Sequence, residues 1–225
     1  MKQLNGPPTV FYEPNFISEE EEKRLVESIY AAPKPKWQQL SRRRLQNWGG
    51  LPHPKGMIAE SIPDWLMKYV SLLNNLHLFG DKKANHVLVN EYLPGQGIMP
   101  HTDGPLFHPV ITTISLGSHT VLNFYDRLDS DEVDAEDSQL SSVKQRQKKL
   151  SVLLEPRSLL VVKDDLYHKH LHSIDELKSD EISELIVNPG DRQLGEVMHR
   201  QTRISLTIRH VPRTSKVPIF LSRKS

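Results

Sequence analysis

His101-Thr102-Asp103 places an imidazole and a carboxylate two residues apart, so both can point the same way and share one ion. The spacing is common by chance, and the plain alternative is a polar loop. Its context favours a strand mouth, because it follows Asn90-Glu91-Tyr92 and the turn Pro94-Gly95. A third ligand has to come from farther along the chain. The run Leu166-Tyr167-His168-Lys169-His170-Leu171-His172 offers three histidines, which alternate and would share one face of a strand. Two histidines and one carboxylate on an ion leave three neighbouring coordination positions open, the arrangement of non-haem iron oxygenases. Zinc is the rival metal for the same ligands. The chain has no cysteine, so thiolate sites and disulfides are excluded.

A second constellation is Arg203-Ile204-Ser205-Leu206-Thr207-Ile208-Arg209, in which polar and apolar residues strictly alternate. This is a strand with one polar face. At a sheet edge that face would simply be solvated. If the strand instead lines the interior of a closed β structure, two guanidinium groups point into a cavity. Arg203 could then clamp a carboxylate in a bidentate pair, and Arg209 could reach Asp103 or a substrate. The same parity puts Asn90 and Tyr92 on one face of their own strand.

These groups need elements to position them. Ser18 followed by Glu21 makes a capping box for a helix with Leu25, Val26 and Ile29 as its apolar stripe, ended by Pro33 and Pro35. Trp65, Leu66, Tyr69, Val70 and Leu73 predict a second helix from Pro63 to Leu73. Residues Thr9 to Phe16 read as a short strand and loop. From His86 the period changes to two, with strands expected at His86–Leu93, Ile111–Leu116, Thr120–Tyr125, Leu150–Leu154, Ser158–Val162 and Arg203–Val211. Many short strands with turn signals between them indicate a sandwich, jelly roll or barrel. Two polar stretches, 126–149 and 175–200, interrupt the pattern and read as surface insertions. The first contains the acidic run Asp129 to Asp137.

The chain is 225 residues long, enough for one large domain, with 37% hydrophobic and 25% charged residues and a formal net charge of +1. That balance argues against wholesale binding of a polyanion but hides local patches. Residues Lys34 to Ala59 carry Lys34, Lys36, Arg42, Arg43, Arg44 and Lys55 without an acid, with Trp37 and Trp48 interleaved; Gly49-Gly50 suggests a hairpin or loop there. No apolar run is long enough for a membrane span, and no signal peptide is visible. The expectation is a soluble monomer of the cytoplasm or nucleus.

The order Asn-x-Tyr, His-x-Asp, His-x-Ile, Arg-x(5)-Arg over Ala84 to Pro212 resembles the AlkB family of iron(II)- and 2-oxoglutarate-dependent dioxygenases. The passages Pro33 to Trp37, Leu45 to Pro54, Ala84 to Asn90 and Ile114 to Val121 are similar to one homologue within it. The resemblance implies a mainly β fold with flanking helices, a double-stranded β-helix or jelly roll with an N-terminal helical and lid extension. On this plan residues 1–83 form the extension, 84–212 the jelly roll with its two insertions, and 213–225 a basic tail. It implies that His101, Asp103 and His172 bind Fe(II), His172 being chosen because His172-Ser173-Ile174 matches His-x-Ile. Arg203 would pair with the distal carboxylate of 2-oxoglutarate, Asn90, Tyr92 and Ser205 would add hydrogen bonds, and Arg209 would be the second arginine. His168 and His170 fall back to surface or supporting roles. The family reaction joins O2 to 2-oxoglutarate, releases succinate and carbon dioxide, and hydroxylates a carbon–hydrogen bond.

The resemblance makes the basic N-terminal segment a nucleotide-recognition lid. Arg42, Arg43 and Arg44 are then candidates for phosphate contact, and Trp37 and Trp48 for base stacking. Three adjacent arginines are also common on solvated turns, and a tryptophan beside prolines is commonly a packing anchor. The expected activity is oxidative demethylation or hydroxylation of a nucleic acid base. The alternatives are a dioxygenase acting on protein or a small molecule, and a nucleic-acid-binding module with little catalysis.

Overall fold

A computed structural model describes residues 1–4, 9–127 and 147–215; the acidic run Asp129 to Asp137 lies outside them, as does most of the basic tail. The chain opens with short strands β1 (Lys2–Gln3) and β2 (Val10–Glu13). Helix α1 (Glu19–Tyr30) starts at the expected capping box. Glu21 N–H donates to Ser18 Oγ at 3.2 Å, and Ser18 N–H donates to the Glu21 carboxylate at 2.9 Å. Strands β3 (Gln38–Leu40) and β4 (Arg43–Trp48) pair antiparallel. The hairpin turn therefore falls at Ser41-Arg42, not at Gly49-Gly50. Gly49 opens the loop that follows, with φ of 88°; a Cβ there would sit 2.2 Å from the Asn85 carbonyl oxygen. Strand β5 (Met57–Ile58) precedes helix α2 (Asp64–Asn75).

The remainder is mainly strand: β6 (His86–Tyr92), β7 (Ile98–His101), β8 (Val110–Leu116), β9 (Thr120–Asp126), β10 (Lys148–Leu154) and β11 (Leu159–Lys163). Helix α3 (Asp164–Lys169) leads into β12 (His170–Ile174), followed by β13 (Ser179–Glu181), β14 (Val197–His199), β15 (Arg203–Arg209) and β16 (Thr214–Ser215). Strand β7 has no alternating pattern and contains Pro100, so the sequence does not announce it. An eight-stranded sheet, in the order β1-β2-β11-β8-β15-β6-β4-β3, faces a four-stranded sheet, β10-β9-β12-β7, in a jelly-roll arrangement. Among the described residues no helix is long and apolar enough to cross a membrane.

Parity decides what each strand of the large sheet shows to each side. Val87 and Val89 of β6 and Ile204, Leu206 and Ile208 of β15 pack with Leu25 and Ile29 of α1 and Leu66, Val70 and Leu73 of α2. Each such side chain removed from water contributes about 1.5–3 kcal/mol. Trp65 joins that cluster only partly buried. The other parity of the same strands, with Asn90, Tyr92, Arg203, Ser205, Thr207 and Arg209, faces the space between the sheets.

The 175–200 stretch is polar in sequence yet firmly built. Its hairpin β13–β14 carries Ile182 against Ile186, Val121 and Leu153. Beneath it Arg200 makes a forked pair with Asp180 at 2.6 and 2.7 Å, both residues almost fully buried, and His119 Nε2 stands 3.4 Å from the same carboxylate. Burial alone would raise the Asp180 carboxyl, but the hydrogen bonds and charges of Arg200 and His119 outweigh it and hold it below the usual range. A carboxyl held low when folded contributes stability that is complete above its unfolded value and is lost as pH falls through the folded one. Asp180→Asn should therefore lower unfolding free energy by about 3–5 kcal/mol in urea denaturation at neutral pH. The deficit should shrink as the unmutated protein is taken into acid.

Candidate metal centre

Strand β12 pairs with β7 on one side and β9 on the other, and the β7 register sets His172 directly opposite His101. Their rings stand 4.3 Å apart between centroids. His101 Nδ1–H, in the tautomer its surroundings favour, donates to the Met99 carbonyl at 2.8 Å, which leaves Nε2 with a free electron pair. Asp103, just past the end of β7, has Oδ1 3.9 Å from Nε2 of each histidine. One potential ligand atom from each of the three residues lies within 4.8 Å of the others. Ligands about 2.1 Å from an ion can be no more than about 4.2 Å apart, so one ion can reach the carboxylate and either imidazole. Burial pushes the His172 ring down to about 4, so it is neutral and able to donate its electron pair at physiological pH. Asp103 Oδ2 lies 3.4 Å from Arg209 Nη1, and that pairing orients the carboxylate.

The structure also shows which of the three histidines lies beside His101 and Asp103. Asp164 takes a φ of 52° and turns the chain off β11 into α3, so the three histidines do not share one strand. His168 lies on α3, edge-on to Tyr167. His170 begins β12 but turns to Asp126, 3.2 Å away. His172 alone of the three joins His101 and Asp103.

Beside the three residues is a cavity of about 260 Å³ between the sheets. Arg203 lies in its wall, 3% exposed, opposite Tyr92 in the β15–β6 register. It donates through Nη2 to Ser115 Oγ at 2.9 Å, while its Nε has no partner. Among the described residues no carboxylate pairs with it. Burial lowers it to about 10, still protonated at neutral pH. A buried guanidinium without a counter-charge is costly unless something anionic meets it. Ser205 stands between Asn90 and Ser115 in register, so β6, β15 and β8 present hydroxyl, amide and phenol groups around that cation. This donor set fits a dicarboxylate, as the three ligands fit an iron(II) ion.

The lid candidates separate. Arg43 lines the cavity and donates through Nε to Asn90 Oδ1 at 3.2 Å. Arg42 pairs with Glu176. Arg44 is bound to Glu91 at 2.6 Å and lies 4.1 Å over the Trp37 ring. Trp48 donates to Gln46 at 2.9 Å and meets Trp65 edge-on at 5.6 Å. Trp37, Arg42, Arg44 and Trp48 are thus outside the cavity lining. Ser115 was missed in the sequence, although the parity of β8 places it with Ile111 and Thr113. Phe107, 3.9 Å beneath the Arg209 guanidinium, and Tyr167, whose hydroxyl donates to the Gly104 carbonyl at 3.0 Å, lie in irregular or helical segments that gave no signal.

His172→Ala should weaken Fe(II) binding by more than about 100-fold, the upper end for losing even a supporting residue, while His170→Ala leaves it nearly unchanged. Anaerobic titration with Fe(II) and 2-oxoglutarate, followed by the visible charge-transfer band, reads both. Equal loss in the two variants would show that His170 contributes to metal binding as much as His172 does. Arg203→Met should raise the dissociation constant for 2-oxoglutarate by about 30-fold or more, the effect of truncating one side of a buried charged pair.

Residues 11–209 match the family described as the 2OG-Fe(II) oxygenase superfamily. The chain is 53% identical over 221 residues to the Danio rerio protein described as "Probable RNA/DNA demethylase ALKBH6", a match covering 97% of this chain and 92% of that protein. It is 31% identical over 217 residues to "Uncharacterized protein L905" of Acanthamoeba polyphaga mimivirus, covering 93% and 87%. The solved structure of OsALKBH1 superposes with a TM-score of 0.55 at 15% identity, covering 90% of this chain and 98% of that one, a likeness of fold. The family's cofactor is Fe(II), with 2-oxoglutarate and O2 as cosubstrates. The chain therefore belongs to the AlkB-like proteins of the 2OG-Fe(II) oxygenase superfamily and is an oxidoreductase of the dioxygenase class.

Proposed function

We propose that this dioxygenase removes a methyl group from a nucleic acid base. In this reading His101, Asp103 and His172 hold Fe(II), and Arg203, with Asn90, Tyr92 and Ser205, holds 2-oxoglutarate. The observation that carries the substrate is the identity of 53%, along nearly the whole chain, with a relative described as a probable RNA/DNA demethylase. The lining of the cavity supports it. Hairpin β3–β4 contributes Arg43 to that lining, and Lys34 is exposed on the same basic segment, a disposition suited to phosphates around an inserted base.

When bound, iron and 2-oxoglutarate with O2 supply the oxidation: the keto acid becomes succinate and carbon dioxide, and an N-methyl group is hydroxylated and leaves as formaldehyde. The chain's own groups position and exclude. Arg203 fixes one end of the cosubstrate by charge and by its planar fork. Arg209, stacked on Phe107, holds Asp103 in one orientation. The Met99 carbonyl fixes the His101 tautomer. Leu122, Phe124, Leu154, Leu160, Val162 and Ile174 form an apolar wall that keeps bulk water from the reacting groups.

Incubation of the Fe(II)-loaded protein with a panel of methylated oligonucleotides should release formaldehyde and succinate in equal amounts, and mass spectrometry should show the demethylated base. Succinate formed without any change in the oligonucleotides would turn the substrate assignment toward a protein or a small molecule.

A further inference from the structure

The charges lining the cavity are unbalanced. Three guanidinium groups reach it, Arg43, Arg203 and Arg209, against the single carboxylate of Asp103. Asp103 offsets Arg209. Arg203 and Arg43 have no acidic partner among the described residues; Arg43 donates only to the neutral amide of Asn90. The nearby acids are already engaged: Glu91 by Arg44, Glu176 by Arg42 and Glu60 by Lys36. A divalent metal ion and a dicarboxylate bring equal and opposite charge, so the described lining residues keep a net charge of two positive units when the site is loaded.

Methylated bases fall into two electrostatic classes. Methylation at a ring nitrogen such as N1 of adenine or N3 of cytosine makes the base a cation. Methylation at an exocyclic amine, as in N6-methyladenine, or at an imide nitrogen, as in N3-methyluracil, leaves it neutral. We propose that this cavity takes neutral methylated bases and rejects cationic ones. The inference rests on the nucleic-acid reading above. With 2-oxoglutarate on Arg203, a cationic base entering here would shed its water beside the unpaired Arg43 guanidinium and find no free carboxylate among the described lining residues to receive it, in a setting where like charges repel far more than in solution. A neutral base loses little on entry, and its π face can lie against the Arg43 guanidinium. Thr113 and Thr207 in the same wall offer neutral hydroxyls to the base edge.

The test uses the full chain with single-stranded oligonucleotides of one sequence that differ at one base. The pairs are N6-methyladenine against N1-methyladenine and N3-methyluracil against N3-methylcytosine. Binding is read by fluorescence anisotropy on the Mn(II)- and 2-oxoglutarate-loaded protein, and turnover by mass spectrometry on the Fe(II) form. Neutral members should exceed their cationic counterparts by at least about tenfold in both readouts. Arg43→Gln keeps an amide donor for Asn90 but removes one free charge, and should narrow that ratio at saturating 2-oxoglutarate. Equal or reversed preference overturns the proposal, as does a ratio that Arg43→Gln leaves unmoved. If no oligonucleotide is oxidised while succinate still accumulates, the nucleic-acid reading itself falls and takes this inference with it.

Discussion

One rung of a β ladder, His172 of β12 across from His101 of β7, fixes the geometry on which the rest of the site depends. The rung requires close approach of two strands, and Gly97 permits it: a Cβ there would sit 2.2 Å from the Ile174 carbonyl oxygen. Strand β12 is held from its other side by β9, so His172 cannot drift without disturbing two ladders. Asp103 completes the group from just beyond β7 and is itself held by Arg209 of β15 in the opposite sheet. Both layers of the jelly roll thus share in positioning the three side chains that could hold a metal ion.

The second sheet bears the cost of that arrangement. Its strand β15 puts isoleucine and leucine against the helices and two arginines against the cavity, so one seven-residue strand carries both core and charge. Arg203 remains protonated with no carboxylate paired to it among the described residues, a state a protein retains only when burial elsewhere compensates. Helices α1 and α2 supply that burial through Leu25, Ile29, Leu66 and Leu73 on the far face of the same sheet. The unmet hydrogen-bonding capacity of Arg203 is consistent with a site kept ready for an anion.

The basic hairpin β3–β4 shows how context redirects charge. Arg44 is drawn to Glu91 and stacked on Trp37, and Arg42 is drawn to Glu176. Those pairs attach the hairpin to the sheet and to the segment after β12. Arg43, between them on the opposite parity from Arg44, is the one left to face the cavity.

What the sequence determined by itself was whatever depends on neighbours a few residues apart. The capping box at Ser18, the apolar stripes of both helices and the two faces of Arg203 to Arg209 follow from the helical and strand periods, which act locally. The absence of cysteine restricted the donors to imidazole and carboxylate, and His101-Thr102-Asp103 stood out on spacing. Tertiary structure decided which histidine joins that pair, because the ladder register and the turn at Asp164 arise from contacts far apart in the chain. It also decided that the polar stretch 175–200 packs over a buried Asp180–Arg200 pair, and that Arg43 rather than Arg42 or Arg44 remains available. A charge is free or spent according to which opposite charge folding brings beside it, and no local period encodes that.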